Sequence, residues 1–238
     1  MSLTQLYKKQ LFHPNLISLF INPFLMVRWF LLQKIKKIAP ELKGKILDFG
    51  CGQKPYQRLF TNATDYIGVD IENEAHNHEK EDIDFYYDGK KLPFDNETFD
   101  NIFSSEVLEH IFNHDEILPE LNRVLRKGGK ILITVPFSWE EHETPHDNCR
   151  FTHFGIEHLL QKHGFTILKS EKTGHFFAVI AQYFINYLRT LLYTKNKYVN
   201  LLINSVAIFP FTLIFIILSA IAPRSKSLYF NTVILAEK

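Results

Sequence analysis

Cysteine is scarce: Cys51 and Cys149 are the two in 238 residues. Two thiols cannot build the disulfide framework of a small secreted domain. No leader with a small-residue cleavage site opens the sequence, so a reducing, cytoplasmic setting is expected. Internal repeats and low-complexity linkers are missing as well. Net charge is small, +1 from 27 Lys/Arg and 26 Asp/Glu. Its distribution is uneven. Residues 1–44 hold seven bases and one acid, residues 45–174 hold 14 bases and 24 acids, and residues 175–238 hold six bases and one acid. The acidic centre argues against a general nucleic-acid footprint, and no nucleic-acid partner is expected. Basic, apolar flanks suit an anionic membrane surface. The alternative is that they pack on the acidic block and neutralise it.

What is present is apolar bulk. Hydrophobic residues make up 46% of the chain, and Phe alone contributes 22. That is a globular composition, long enough for one sizeable domain with additions or two small ones. The first 44 residues read as helices, with Asn22-Pro23 as a start signal for the run ending at Ala39. Strand and helix patterns then alternate. Strands are expected at KILDFG, YIGVDI (66–71), DFYYDG (84–89), FDNIFSSE (99–106), GKILITVPF (129–137), FTILKSEKTG and SLYFNTVILAEK. Helices are expected over 114–129, stopped by a Gly pair, and over 154–165. This alternation implies a doubly wound α/β sheet.

A glycine turn, Asp48-Phe49-Gly50-Cys51-Gly52, follows the first strand, and Asp70 ends the second. Glycines there let the backbone approach a ligand closely, and an acid at that strand end can accept both hydroxyls of a ribose. A dinucleotide site wants GxGxxG; the third glycine is missing here, which favours a nucleoside cofactor without phosphates.

LDFGCGQKPY, YIGVDIEN, the YDGKKLPFDNETFDNIFSSEVLEHI run and LNRVLRKGGKILITVPF, in that order, resemble a class I S-adenosylmethionine-dependent methyltransferase, in particular its type 11 branch. The resemblance covers about residues 43–174. It implies a doubly wound, mostly parallel seven-stranded sheet of the Rossmann-like methyltransferase type, and S-adenosyl-L-methionine as cofactor. It places Gly50, Cys51 and Gly52 along the cofactor, with Asp48 orienting that turn or reaching the methionine amino group through water. It makes Asp70 the ribose acid, sets Ile71 against the adenine, puts Asp88 with Gly89 at the adenine amino group, and brings Ser104 or Ser105 near the methionyl part. Structural alternatives stand beside these roles. Asp48 is a possible turn brace, Asp70 a plain strand-end acid, Cys51 a space-filler, and Glu109-His110 a brace for the turn after the fourth strand. The expected organisation is N-terminal amphipathic helices over 1–44, a methyltransferase domain over 45–174 and 228–238, and an apolar helical insertion over 175–227.

Residues 142–146, HETPH, satisfy the HExxH pattern of zinc proteases. That site needs both histidines one turn apart on a regular helix, and Pro145 would sit in its interior. No metal is expected. The string instead follows the fifth strand, on the acceptor side, where His142 and His146 are candidate acceptor contacts or bases. Loop structure is the rival reading, with Asp147 and Arg150 pinning the loop and Thr152 or His153 capping the next helix.

Residues 198–223 carry no charge and exceed the length that suggests a membrane-crossing helix. A single crossing would strand the last β-strand away from its sheet, and Pro210 is expected to break the run. A shallow interfacial hairpin over 175–223 meets both objections. The expected function is O-methylation of a small or lipid-linked acceptor (glycan, quinone or lipid) at the cytoplasmic face of a membrane. The alternatives are a non-catalytic cofactor-binding scaffold of the same fold and a nicotinamide oxidoreductase. Oligomeric state stays open.

Overall fold

A computed structural model describes residues 3–71 and 82–238. Glu72 and Asn73, which close the YIGVDIEN motif, lie outside the described residues. The sheet is formed by β1 (Gly44–Phe49), β2 (Ala63–Ile71), β3 (Phe85–Tyr87), β4 (Phe99–Ser105), β5 (Leu125–Pro136), β6 (Thr166–Lys172) and β7 (Asn231–Glu237). Their order is β3-β2-β1-β4-β5-β7-β6. Pairs from β3 to β5 are parallel, while β7 runs antiparallel to both β5 and β6. This is the doubly wound sheet expected from the alternation, in the mostly parallel seven-stranded form that the resemblance implies. Strand order reverses at β1/β4, so the carboxyl ends of those strands form the crevice where such sheets bind ligands.

Two helices of this unit are α4 (His114–Val124) and α5 (His153–Lys162). α4 buries Ile117, Leu118, Leu121 and Val124, the i, i+1, i+4, i+7 face of an amphipathic helix. α5 starts at Thr152, whose hydroxyl accepts the Gly155 N–H. The core joins Leu47, Phe49, Ile102, Ile131, Ile133 and Ile234 from the central strands to these helices.

The chain separates into two compact units, residues 1–34 with 173–230, and residues 35–172 with 231–238. The first holds α1 (Leu3–Phe12), α2 (Ser18–Ile21), the first part of α3 (Leu25–Ile38), α6 (Phe176–Leu192), α7 (Lys197–Ile203) and α8 (Phe209–Ile221). Buried amides order this apolar unit. Gln182 donates to the Pro23 carbonyl at 2.7 Å, and Asn204 accepts from the Tyr193 hydroxyl at 2.6 Å. The charge of Arg189 lies over the Phe24 ring, 4.2 Å from its centroid.

Two expectations are corrected. The helix expected over 114–129 ends at Val124, and Leu125 already pairs with Phe99 in β5. The Gly pair does not stop a helix; it lies in an irregular stretch of the strand, where the register against β4 shifts between Phe99 and Asn101. Burial of Leu125 and the Arg126–Asp100 ion pair outweigh the helical pattern there. Pro210 also breaks nothing. A π-helical turn at Asn204–Ile208 links α7 to α8, and Pro210 falls in the first turn of α8. The widened turn absorbs the missing N–H and the ring that a regular helix could not accommodate. The continuous helix Lys197–Ile221 has 25 residues, with mean hydropathy 2.5 over its apolar window. Among the described residues it alone is long and apolar enough to cross a membrane, by length and composition.

Candidate active site

The first turn is held by its own backbone. Gly50 and Cys51 both donate to the Val69 carbonyl, and Gly50 has φ +71°. A Cβ at Gly50 would lie 2.4 Å from Val107, so this position is closed to side chains on two counts. Gly52, also left-handed at φ +47°, faces open space. Its N–H donates to Asp70 at 2.8 Å, and the other Asp70 oxygen accepts the Ile71 N–H at 2.8 Å. The acid at the end of β2 therefore fixes the glycine turn and holds its own carboxylate in place beside it.

A pocket opens over this turn. Its wall is made by Gly50 and Gly52, by Asp70 and Ile71 from β2, by Tyr87 from β3, by Glu106, Val107, His110 and Ile111 after β4, and by Glu143. Among the described residues three carboxylates line it, and no lysine or arginine. A pyrophosphate would be repelled; a cationic nucleoside would be attracted. The open Cβ space at Gly52, the fixed Asp70 carboxylate and the apolar Ile71, Tyr87 and Ile111 suit a ribose and a flat base.

Beneath the turn lies Asp48, 3% exposed, which accepts the Tyr66 hydroxyl at 2.8 Å. Burial pushes its carboxyl up to about 7, against the lowering effect of the Tyr66 hydrogen bond. Cys51 is buried there too, and burial drives its thiol pKa upward. It is a space-filling neutral thiol that leaves no room for a Cβ on Gly68. Lys54 follows, buried, with its Nζ 2.6 Å from Asp84; Asp84 also accepts the Gly68 N–H. This clamp ties the turn to the segment entering β3, beside Gly68 of β2, by an ion pair instead of a third glycine.

Residues 27–170 match the family model of a methyltransferase domain, more than half of the chain. The chain belongs to the class I S-adenosylmethionine-dependent methyltransferases. An uncharacterised protein of Methanocaldococcus jannaschii is 36% identical over 106 residues, 44% of this methyltransferase and 49% of that protein. A phosphatidylethanolamine N-methyltransferase of Cereibacter sphaeroides is 24% identical over 105 residues, 40% of this chain and 52% of that one. The chain thus spans about half the length of these curated relatives. Phosphoethanolamine N-methyltransferase 2 of Haemonchus contortus, solved with S-adenosyl-L-methionine, shares the fold. Its TM-score is 0.55 at 20% identity, covering 92% of this chain and 55% of that one.

In this methyltransferase Gly50, Gly52, Asp70 and Ile71 converge on one pocket. Gly89 stands behind Ile71, where a Cβ would approach the Ile71 Cδ1 to 3.2 Å. Asp88 is exposed and outside the pocket wall, its carboxylate accepting the N–H groups of Lys90 and Lys91, at 2.9 Å each. Ser105 shares a hydrogen bond with Thr134, 2.9 Å apart, and does not line the pocket. Ser104 is buried. Glu106 takes the wall position after β4, held by the Thr134 hydroxyl and by the Asn231 amide, at 2.7 Å each.

The HETPH string is irregular, turning between Glu143 and His146, where the His146 N–H donates to the Glu143 carbonyl. The His146 side chain is exposed, while its carbonyl meets His110 Nδ1 at 3.1 Å. His142 lies against His110, ring centroids 4.8 Å apart. Arg150 grips Asp147 with both terminal nitrogens, and Asp147 in turn accepts the His142 N–H. That grip holds the Asp147 carboxyl down at about 2. Beside it, Glu109 is fully buried, with neither carboxylate oxygen hydrogen-bonded. Glu109-His110 stands out in the sequence only as a brace for the turn after β4, and Glu106 does not stand out at all. A Glu-x-x-Glu-His run after a strand is a clue only once His142 is known to fold over it.

Proposed function

We propose that this methyltransferase O-methylates a small or lipid-linked acceptor, a glycan, quinone or lipid, at the cytoplasmic face of a membrane. The observation that carries the proposal is the acidic pocket wall that runs from Asp70 to His110 and to Glu143 of the histidine loop, with no lysine or arginine among the described residues. When bound, the cofactor supplies a methyl group already activated on a sulfonium. The protein's task is then alignment and, for a hydroxyl acceptor, management of one proton. Asp70 orients the ribose. Glu106 and Glu143 favour positive charge on the reacting side. His110 and His142 stand where an acceptor hydroxyl must shed its proton.

The membrane setting is supported by the exposed apolar face of the continuous helix Lys197–Ile221, where Leu202, Val206, Ile214, Ile217 and Ile221 are each half or more exposed. Basic residues concentrate in the flanks that form the same unit. A lipid acceptor is also in keeping with the phosphatidylethanolamine substrate in the name of the Cereibacter sphaeroides relative. The test is transfer of a labelled methyl from S-adenosylmethionine into membrane extract by full-length protein. Label is expected in an organic-soluble or lipid-linked product as a methyl ether or ester. Label confined to amines, or none in any extract, refutes the reading.

A further inference from the structure

At one edge of the cofactor wall, where His110 lines the pocket, Glu109, His110 and His142 come together, one ligand atom of each within 4.8 Å of the other two. Glu109 is fully buried and neither of its oxygens has a hydrogen-bond partner. A buried carboxylate is seldom left so. The two imidazoles are set to receive a cation. His110 Nδ1 meets the His146 carbonyl at 3.1 Å, and a carbonyl only accepts, so Nδ1 carries the proton and Nε2 keeps its lone pair. That Nε2 stands 3.8 Å from Glu109 and 3.7 Å from Glu143, beyond hydrogen-bond reach of either. His142 Nδ1 faces two acceptors, the Glu140 carbonyl and Asp147, at 3.3 Å each, closer than the donor Arg150 Nη2 at 3.5 Å, which favours the same tautomer. Such outer partners are what orient metal-binding histidines. Glu106, Glu109, Glu143 and Asp147 are the acids around the cluster, with Arg150 committed to Asp147.

We propose that Glu109, His110 and His142 bind a divalent transition-metal ion such as Zn2+, Mn2+ or Fe2+, with open positions toward the pocket. Two imidazoles and a carboxylate suit that class of ion better than Mg2+ or Ca2+. Ligand atoms around such an ion lie about 3.4 Å apart, a closure that side-chain rotation supplies. This departs from the expectation of no metal, which considered HETPH alone; two ligands come from the turn after β4 and one from the loop. The role assigned to the ion rests on the O-methylation reading, and within it His110 and His142 serve the proton step as ligands of the ion, not as bases. An acceptor hydroxyl bound at an open position loses its proton to solvent more readily. The oxygen then bonds to the methyl carbon as the carbon–sulfur bond breaks, and that electron pair stays on sulfur.

The test titrates tag-free, full-length protein in detergent with Co2+. One equivalent is expected to produce visible ligand-field bands that Zn2+ abolishes by competition. Glu109→Gln and His142→Asn are each expected to weaken binding by at least tenfold, while S-adenosylmethionine affinity of His142→Asn stays within twofold of wild type. Absence of saturable Co2+ binding to protein that binds S-adenosylmethionine overturns the site, as does undiminished binding in both variants. Stoichiometric, ligand-dependent Co2+ binding without transfer to any hydroxyl acceptor leaves the site standing and overturns only the O-methylation reading.

Discussion

Replacing Asp48 with asparagine isolates the cost of keeping a charge beneath the cofactor turn. The Asp48 carboxyl is 3% exposed and raised from 3.8 to about 7, first by burial. Between those two values the folded protein holds a proton that the unfolded chain has lost. Stability therefore falls as pH rises from about 4 to about 7, and the loss is complete above 7. At 1.36 kcal/mol per pH unit, the interval corresponds to at most about 4 kcal/mol. Asparagine keeps the shape and still accepts the Tyr66 hydroxyl, without the charge. The cofactor-free Asp48→Asn protein is expected to gain about 1–4 kcal/mol at pH 8 and nothing at pH 4. Urea unfolding in mild detergent, followed through Trp139 in a Trp29→Phe background, measures this at several pH values. S-adenosylmethionine affinity should move the opposite way, weakening in the variant, because the positively charged ligand favours the ionised acid. Equal pH slopes for the two proteins would falsify the assignment of Asp48 as a buried acid whose burial outweighs its Tyr66 hydrogen bond.

Asp70→Ala removes the ribose acid and the Gly52 anchor together, and calorimetry should show S-adenosylmethionine affinity falling by about 100-fold, the value of roughly 3 kcal/mol of charged hydrogen bonding. The two turn glycines should separate. Gly50→Ala meets Val107 at 2.4 Å and is expected to cost about 2–4 kcal/mol of folding stability by overpacking and strain. Gly52→Ala faces open space and should cost only about 1 kcal/mol while blocking the ligand; equal melting temperatures for the pair would contradict the geometry. Thr152→Ala removes the α5 cap and should destabilise by about 1 kcal/mol in denaturant unfolding. Ile214→Lys with Ile217→Lys, on the exposed face of α8, should release the protein from anionic liposomes in a flotation assay. Retention would point to an apolar cap or protein contact instead.

The sheet was legible because its evidence is local. Each strand is a short apolar run closed by turn residues, and Gly50, Gly52 and Asp70 occur at the spacing a nucleoside crevice needs. The errors arose where tertiary contacts override pattern. Leu125 reads as one more helical residue until Phe99 pairs with it, and Pro210 reads as a break until a π-turn precedes it. Asp88, the acid expected at the adenine, also accepts the Lys90 and Lys91 N–H groups of its own turn through one oxygen, a contact that no spacing announces. Lys54–Asp84 joins residues 30 apart, and His142 reaches Glu109 and His110 across β5 and α4. Neither is written at any fixed spacing. HETPH is the converse case, a pattern at perfect spacing whose histidines do not share a helix.

Strand β7 is placed between β5 and β6, although α6, α7 and α8 precede it in the chain. Synthesis therefore delivers the apolar helices while the sheet still has a gap, with unpaired backbone on both β5 and β6. During that interval the chain presents open strand edges together with its greasiest segment, the pairing most prone to misassembly. Asn231, at the start of β7, also braces Glu106 in the pocket wall. The cofactor pocket is thus completed by a strand that emerges only after the apolar helices, and catalytic competence follows them in time.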